Sequence, residues 1–286
     1  MKVKIDMHVH VTPPDIINNL EKYCINEPYF SLLSHSPKNK FATAEDVVAE
    51  MQRVGFDRSV VFGFAFQDQG LCNYVNDYVV EKTKEFPQSL IGFLAVNPKL
   101  KNVENVIVNY YKKGLRGIGE LFPAGQNFEL AELRDTAAFA SACIAHKMPV
   151  LLHTNEQVGH YYAGKTNTKL EEIEQFVEHH PDLKLILAHW GGGIFFYELM
   201  KELKENFKNV YYDNAATIFL YDAKIYQIAK ELGIMDKVLF GSDFPLLSPE
   251  RYWQGIAESK IDQEDLNKLF GHNALKLFED CGISLE

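Results

Sequence analysis

Five segments of the chain end a short apolar run with a side chain able to bind a metal ion or carry a proton. His8 and His10 close Asp6-Met-His-Val-His, and Glu120 closes Gly-Ile-Gly-Glu. His153 follows Pro149-Val-Leu-Leu, His189 follows Leu185-Ile-Leu-Ala, and Asp243 follows Leu239-Phe-Gly-Ser. Imidazole and carboxylate are the usual donors to a divalent ion such as zinc, and catalytic sites of this kind keep one position open for water. Taken singly, each residue has an ordinary explanation: a rim histidine, a loop-capping glutamate, a turn aspartate. Together they predict a metal site with His8, His10, Glu120, His153, His189 and Asp243 as candidate ligands.

The elements that would position these residues follow from the pattern around them. Side chains two apart on a strand share a face, so His8 and His10 can approach one point. Strand-length apolar runs recur at 3–9, 58–66, 90–97, 114–121, 148–154, 183–189, 210–215 and 237–243, several apolar on both faces as buried parallel strands require. Helical patterns lie between them. One begins at the capping residue Thr43, one covers 128–147 and stops before Pro149, and one covers 168–179, with Thr168 and Glu171 as its start signal. Eight such units predict a single α/β domain over 1–286, a (β/α)8 TIM barrel whose strand ends converge on the site. A doubly wound open sheet is the alternative, but no G-x-G-x-x-G follows the first strand. Segment 11–42, with four prolines, is long for one connection and reads as an elaborated loop after strand one, where active-site covers tend to sit.

Composition narrows the class. The 286 residues carry 39 acidic and 29 basic side chains, a net charge of -10 that disfavours nucleic acid or a membrane surface as partner. No apolar run approaches the roughly 20 residues of a membrane span. The opening Met1-Lys-Val-Lys-Ile lacks an apolar signal region, and the four cysteines are scattered without a C-x-x-C pair, so a cytoplasmic protein with reduced thiols is expected. Of the other histidines, His146, His179 and His180 stand at helix ends and are expected to face solvent, and His272 to cap the last helix. His160 and its neighbour Tyr161 lie in the loop after strand five, where they either meet substrate or form a plain rim. The apolar face of Ile194-Phe-Phe-Tyr-Glu-Leu-Met suits barrel packing or a subunit contact in a homo-oligomer.

The segments D-M-H-V-H, H-T-N, L-A-H-W-G-G-G and L-F-G-S-D-F-P, in this order, resemble the amidohydrolase superfamily. The chain is most similar to the amidohydrolase-2 branch, which contains the aminocarboxymuconate-semialdehyde decarboxylase-like enzymes. The resemblance extends to Gly271-His-Asn-Ala and implies the same barrel. It implies that His8, His10 and His153 bind metal, that Asp243 binds metal and handles a proton, and that His189 either holds a second ion or acts on substrate. Glu120 is a departure, since two-metal relatives often place a lysine carbamate there and many one-metal relatives have neither group.

The expected activity is that of a metal-dependent hydrolase acting on an amide, ester or lactone of a small molecule. One zinc ion or a pair would activate water, and Asp243 and His189 would serve as catalytic groups. The alternative is metal-dependent non-oxidative decarboxylation of a small carboxylic acid, for which Arg251 is a candidate anchor alongside the substrate-binding candidates His160 and Tyr161. A metal-binding protein without catalysis is a third reading.

Overall fold

Eight parallel strands follow one another round a barrel in chain order: β1 (Ile5–His10), β2 (Arg58–Phe62), β3 (Leu90–Leu94), β4 (Gly117–Leu121), β5 (Val150–Leu152), β6 (Leu185–Leu187), β7 (Val210–Asp213) and β8 (Val238–Leu239). A computed structural model describes residues 3–285. The strands are shorter than the apolar runs that mark them, because pairing ends where each run turns into the loop above it. β8 returns to β1 through Met7 N–H to the Phe240 carbonyl and His10 N–H to the Phe244 carbonyl, both at 2.8 Å. This closes the (β/α)8 barrel. Among the described residues no helix is long and apolar enough to cross a membrane.

Two apolar layers hold the barrel together. Ile5, Met7, Val60, Phe62, Phe93, Leu151, Ile186 and Leu239 are fully buried in one cluster, which the C-terminal helix Asn273–Asp280 joins through Ala274, Leu277 and Phe278. The larger cluster joins the opposite strand faces to the surrounding helices. Burying one aliphatic or aromatic side chain of this size contributes about 1.5–3 kcal/mol. β1 shifts register against β2 between Asp6 and Val9. This irregularity switches the parity of the strand: Ile5 and Met7 pack in the interior cluster, and beyond the shift His8 and His10 face the site. β4 carries a similar irregularity between Ile118 and Leu121, spanning Glu120.

Local signals set the outer elements. Thr43 caps the helix Ala44–Val54: its hydroxyl accepts from Asp46 N–H, the Asp46 carboxylate accepts from Thr43 N–H, and Gly55 ends the helix at φ +77°. The helix predicted to begin at Thr168 starts two residues later as Leu170–His179, with Glu172 accepting from Lys169 N–H. His180 differs from expectation. It is buried, its Nε2 lies 3.1 Å from Thr136 Oγ1, and its ring packs on Phe176. Burial, aided by the neighbouring His179, pushes its pKa down to about 4.

The loop after β1 is indeed elaborate. Its stems meet where Thr12 N–H donates to the Ala42 carbonyl at 2.8 Å. Three short helices, Pro14–Asn18, Leu20–Tyr23 and Pro28–Ser34, fill the excursion. They are too short to stand alone and hold their shape by packing. Ile16, Tyr23 and Phe30 join Phe66, Cys72, Val75 and Ala95 in a third cluster. The buried Glu27 carboxylate accepts Gln67 N–H at 2.8 Å and Asp68 N–H at 2.7 Å, tying the insertion to the loop after β2.

Candidate metal centre

The polar residues at the strand ends converge at one mouth of the barrel. His8 Nε2 lies 3.2 Å from His10 Nε2, and Asp243 Oδ1 lies 3.6 Å from the first and 3.4 Å from the second. Donors about 2.1 Å from a shared ion are about 3.0–3.4 Å apart in octahedral or tetrahedral geometry, so these three atoms fit around one divalent cation. Glu120 reaches the same place from β4, with Oε2 3.7 Å from His8 Nε2 and 3.6 Å from His10 Nε2. Its other oxygen, Oε1, is 3.8 Å from His189 Nε2. Among the described residues, two sets of donors come within metal-binding distance: His8, His10 and Asp243, and His8, Glu120 and His189.

His153 stands beside this cluster with both ring nitrogens engaged elsewhere. Nδ1 is 3.0 Å from Glu120 Oε1, and Nε2 is 2.9 Å from the Gly164 carbonyl. Both partners are acceptors, so the ring is held as a double donor. Burial works against that charge, but Glu120 outweighs it and raises the imidazole above its ordinary range. His8 follows the same logic. Burial opposes its charge, while Asp213, Glu120 and Asp243 push it up to about 10. Burial would raise Asp243, yet its hydrogen bond to His10 and the nearby histidines hold it below its ordinary value. This concentration of carboxylates is the environment that a dication would neutralise.

Asp213, at the end of β7, completes the centre and was not singled out from the sequence. It is fully buried, and its Oδ2 accepts the His8 Nδ1 proton at 2.8 Å. That bond holds a proton on Nδ1 and turns Nε2 to the cluster, where its lone pair would bind a metal ion in place of the second proton. Oδ1 of the same carboxylate accepts His189 N–H at 2.8 Å and Ala215 N–H at 3.0 Å. The second bond set matters because His189 has φ +55°, as part of a left-handed run through Trp190, Gly191, Gly192 and Gly193. Gly192 is required there: a Cβ would fall 2.3 Å from the Asn155 carbonyl oxygen. The usable signal was a carboxylate closing an apolar strand run, as in the other five segments. A second supporting carboxylate, Asp6, accepts His8 N–H at 3.2 Å and Ser242 N–H at 2.9 Å, and burial raises its pKa to about 7.

Above the cluster opens a cavity of about 400 Å³. His10, Glu120, His153, His189 and Asp243 form its floor, and Phe30, Phe64, Phe122, Phe219 and Leu246 supply apolar wall. His160 and Tyr161 line it from the loop after β5. Arg251 does not. It is exposed in the short helical turn Pro249–Tyr252, outside the cavity wall.

The amidohydrolase family model matches residues 5–279. The chain belongs to the amidohydrolase family. No curated protein matches it in sequence. Solved structures do match in fold. One is a 5-carboxyvanillate decarboxylase from Novosphingobium aromaticivorans, complexed with manganese and 4-hydroxy-3-methoxy-5-nitrobenzoic acid. It is 15% identical, covers 97% of this amidohydrolase and 96% of its own chain, and gives a TM-score of 0.77. A dihydroxybenzoic acid decarboxylase from Polaromonas, with bound manganese and 2-nitroresorcinol, is 16% identical over 98% and 97% of the two chains, at a TM-score of 0.73. A probable 2-pyrone-4,6-dicarboxylic acid hydrolase from Acinetobacter baumannii, with citric acid bound, is 15% identical over 96% and 99%, at a TM-score of 0.65. At these identities the likeness of the amidohydrolase to each is one of fold.

Proposed function

We propose that this amidohydrolase is a metal-dependent, non-oxidative decarboxylase of a small aromatic carboxylic acid. The observation that carries this reading is the cavity: aromatic walls wide enough for one ring stand over a floor of histidines and carboxylates. Hydrolysis stands first in the sequence reading, but the cavity favours the alternative. The manganese-bound decarboxylases of the same fold add to that support.

Carboxylate donors suit manganese and imidazole donors suit zinc, so this mixed set accommodates either, and manganese is the metal to test first. His8, His10 and Asp243 would hold it, with Glu120, His153 and His189 around them. When bound, the ion would fix the substrate's oxygens and stabilise negative charge there. The chain's own groups manage the rest. Phe64 and Phe122 exclude water from the ring face. His189 donates from Nδ1 to the Ala215 carbonyl at 3.2 Å, which leaves Nε2 free to accept from the substrate. Asp243, kept ionised by His8 and His10, takes a proton from an acidic hydroxyl of the substrate or from water. It returns that proton to the ring carbon as the bond to carbon dioxide breaks, so one proton replaces one carboxylate.

Supplying the manganese-loaded protein with hydroxylated benzoates, and following carbon dioxide together with the ring product, tests the proposal. In deuterium oxide the vacated carbon should carry deuterium. Turnover of esters or lactones without release of carbon dioxide would overturn it. Glu120 supports hydrolysis as the second reading, because a carboxylate within 3.8 Å of His8, His10 and His189 would supply a ligand to a second ion, and a second ion would help activate water.

A further inference from the structure

The charge along the cavity is polarised. Its two acidic lining residues, Glu120 and Asp243, lie on the floor, whereas Lys38 and Lys40 line the mouth. Both lysines belong to the insertion after β1, in the stretch between the helix Pro28–Ser34 and Thr43. Among the described residues neither has a carboxylate partner, although Lys22 of the same insertion is paired with Asp15. Lys38 is nonetheless placed. Its Nζ sits 5.6 Å from the ring centroid of Phe219, which lines the same cavity from the short helix Thr217–Leu220 after β7. One ammonium group is thus placed over an aromatic residue of the cavity wall, and a second stands two residues away. The chain's other candidate anchor, Arg251, lies outside the cavity.

We propose that Lys38 and Lys40 form an anion subsite at the mouth, and that the substrate carries a second carboxylate at the end remote from the one it loses. The inference rests on the decarboxylase reading and extends it to an aromatic dicarboxylate. A ring lying between the aromatic walls would set one carboxylate on the floor and turn the other towards the lysines. Because both lysines are exposed, the interaction is screened by salt and is modest in size.

The test compares benzene-1,3-dicarboxylate with its monomethyl ester, which keeps the shape and removes one charge. Binding of each to the manganese-loaded protein is measured by calorimetry, in the wild type and in a Lys38→Gln/Lys40→Gln double variant. The wild type should prefer the dicarboxylate about fivefold at low salt. That preference should shrink in about 0.5 M salt and disappear in the double variant, with affinity for the ester unchanged. Equal binding of the two ligands by the wild type, or a preference that survives in the double variant, would overturn the subsite while leaving the aromatic-acid reading intact. Failure of both ligands and of benzoate to bind would overturn the aromatic-acid reading itself, and the subsite with it.

Discussion

Asp213→Asn isolates a carboxylate that acts through two neighbours. In the native site Oδ2 accepts from His8 Nδ1 and Oδ1 accepts from His189 and Ala215 N–H, all within 3.0 Å. Asparagine offers one oxygen and one NH2 group in the same space. If the oxygen keeps the backbone pair, the NH2 group faces His8 Nδ1. The imidazole must then accept at Nδ1 and carry its proton on Nε2, the atom that points at the metal position. Loss of a hydrogen bond to a charged group amounts to about 1.5–3 kcal/mol, or about 10- to 150-fold in affinity. That range overlaps the 10–100-fold typical of losing a group that orients a metal ligand. If the amide turns the other way, NH2 confronts two backbone donors, and the loss appears instead as about 1–3 kcal/mol of stability around His189. Competition against a chelator, with a melting curve alongside, separates these outcomes. We expect manganese affinity to fall 10–100-fold and activity to recover partly in excess manganese. A variant with both native metal affinity and native melting temperature would refute the positioning role.

Glu120→Gln should retain one manganese ion per chain by elemental analysis while losing turnover, since His153 loses its charged partner at 3.0 Å. Loss of a second ion that the wild type holds would instead mark Glu120 as a bridge. Gly192→Ala should destabilise by about 2 kcal/mol or more in urea, because φ is +60° and the added methyl meets the Asn155 carbonyl at 2.3 Å. His180 has a folded pKa of about 4 against the ordinary 6.5 of an exposed imidazole, so the unfolded chain binds the extra proton. The stability it contributes is full above about pH 6.5 and is lost as pH falls towards 4. His180→Gln should therefore flatten the decline in urea midpoint between about pH 6.5 and pH 5.

The barrel and its floor were legible because both depend on short-range pattern. Apolar runs ending in His or a carboxylate mark a strand and what it delivers, and the structure brings His8, His10, Glu120, His189 and Asp243 to one point. Asp213 was hidden because Tyr-Tyr-Asp-Asn also reads as a strand running into an ordinary turn. Only the three-dimensional pairing with His8 distinguishes the two. The exposure expected of His180 failed for a related reason: the helix end is local, but Thr136, which covers the imidazole, lies 44 residues away. The inner helices of the first insertion have four to seven residues, too few to display a period, and their packing partners come from the loops after β2 and β3 and from the helix Gln69–Glu85. The lysines at the mouth carry no sequence signal, since an unpaired surface lysine looks the same anywhere.

The meeting of Thr12 and Ala42 at the base of that insertion bears on how such a catalyst could be retargeted. A segment whose two ends are already joined can be exchanged as a cassette, provided the replacement rebuilds the Glu27 tie to the loop after β2 and the apolar contacts with Phe66, Cys72, Val75 and Ala95. Loop-closure entropy grows only slowly with length, about 0.6 kcal/mol per doubling, so inserts of quite different size should graft onto the same stem. The floor offers no comparable freedom, because Asp213 yokes β1 and β6 through His8 and His189. Selectivity in this architecture is modular, and reactivity is not.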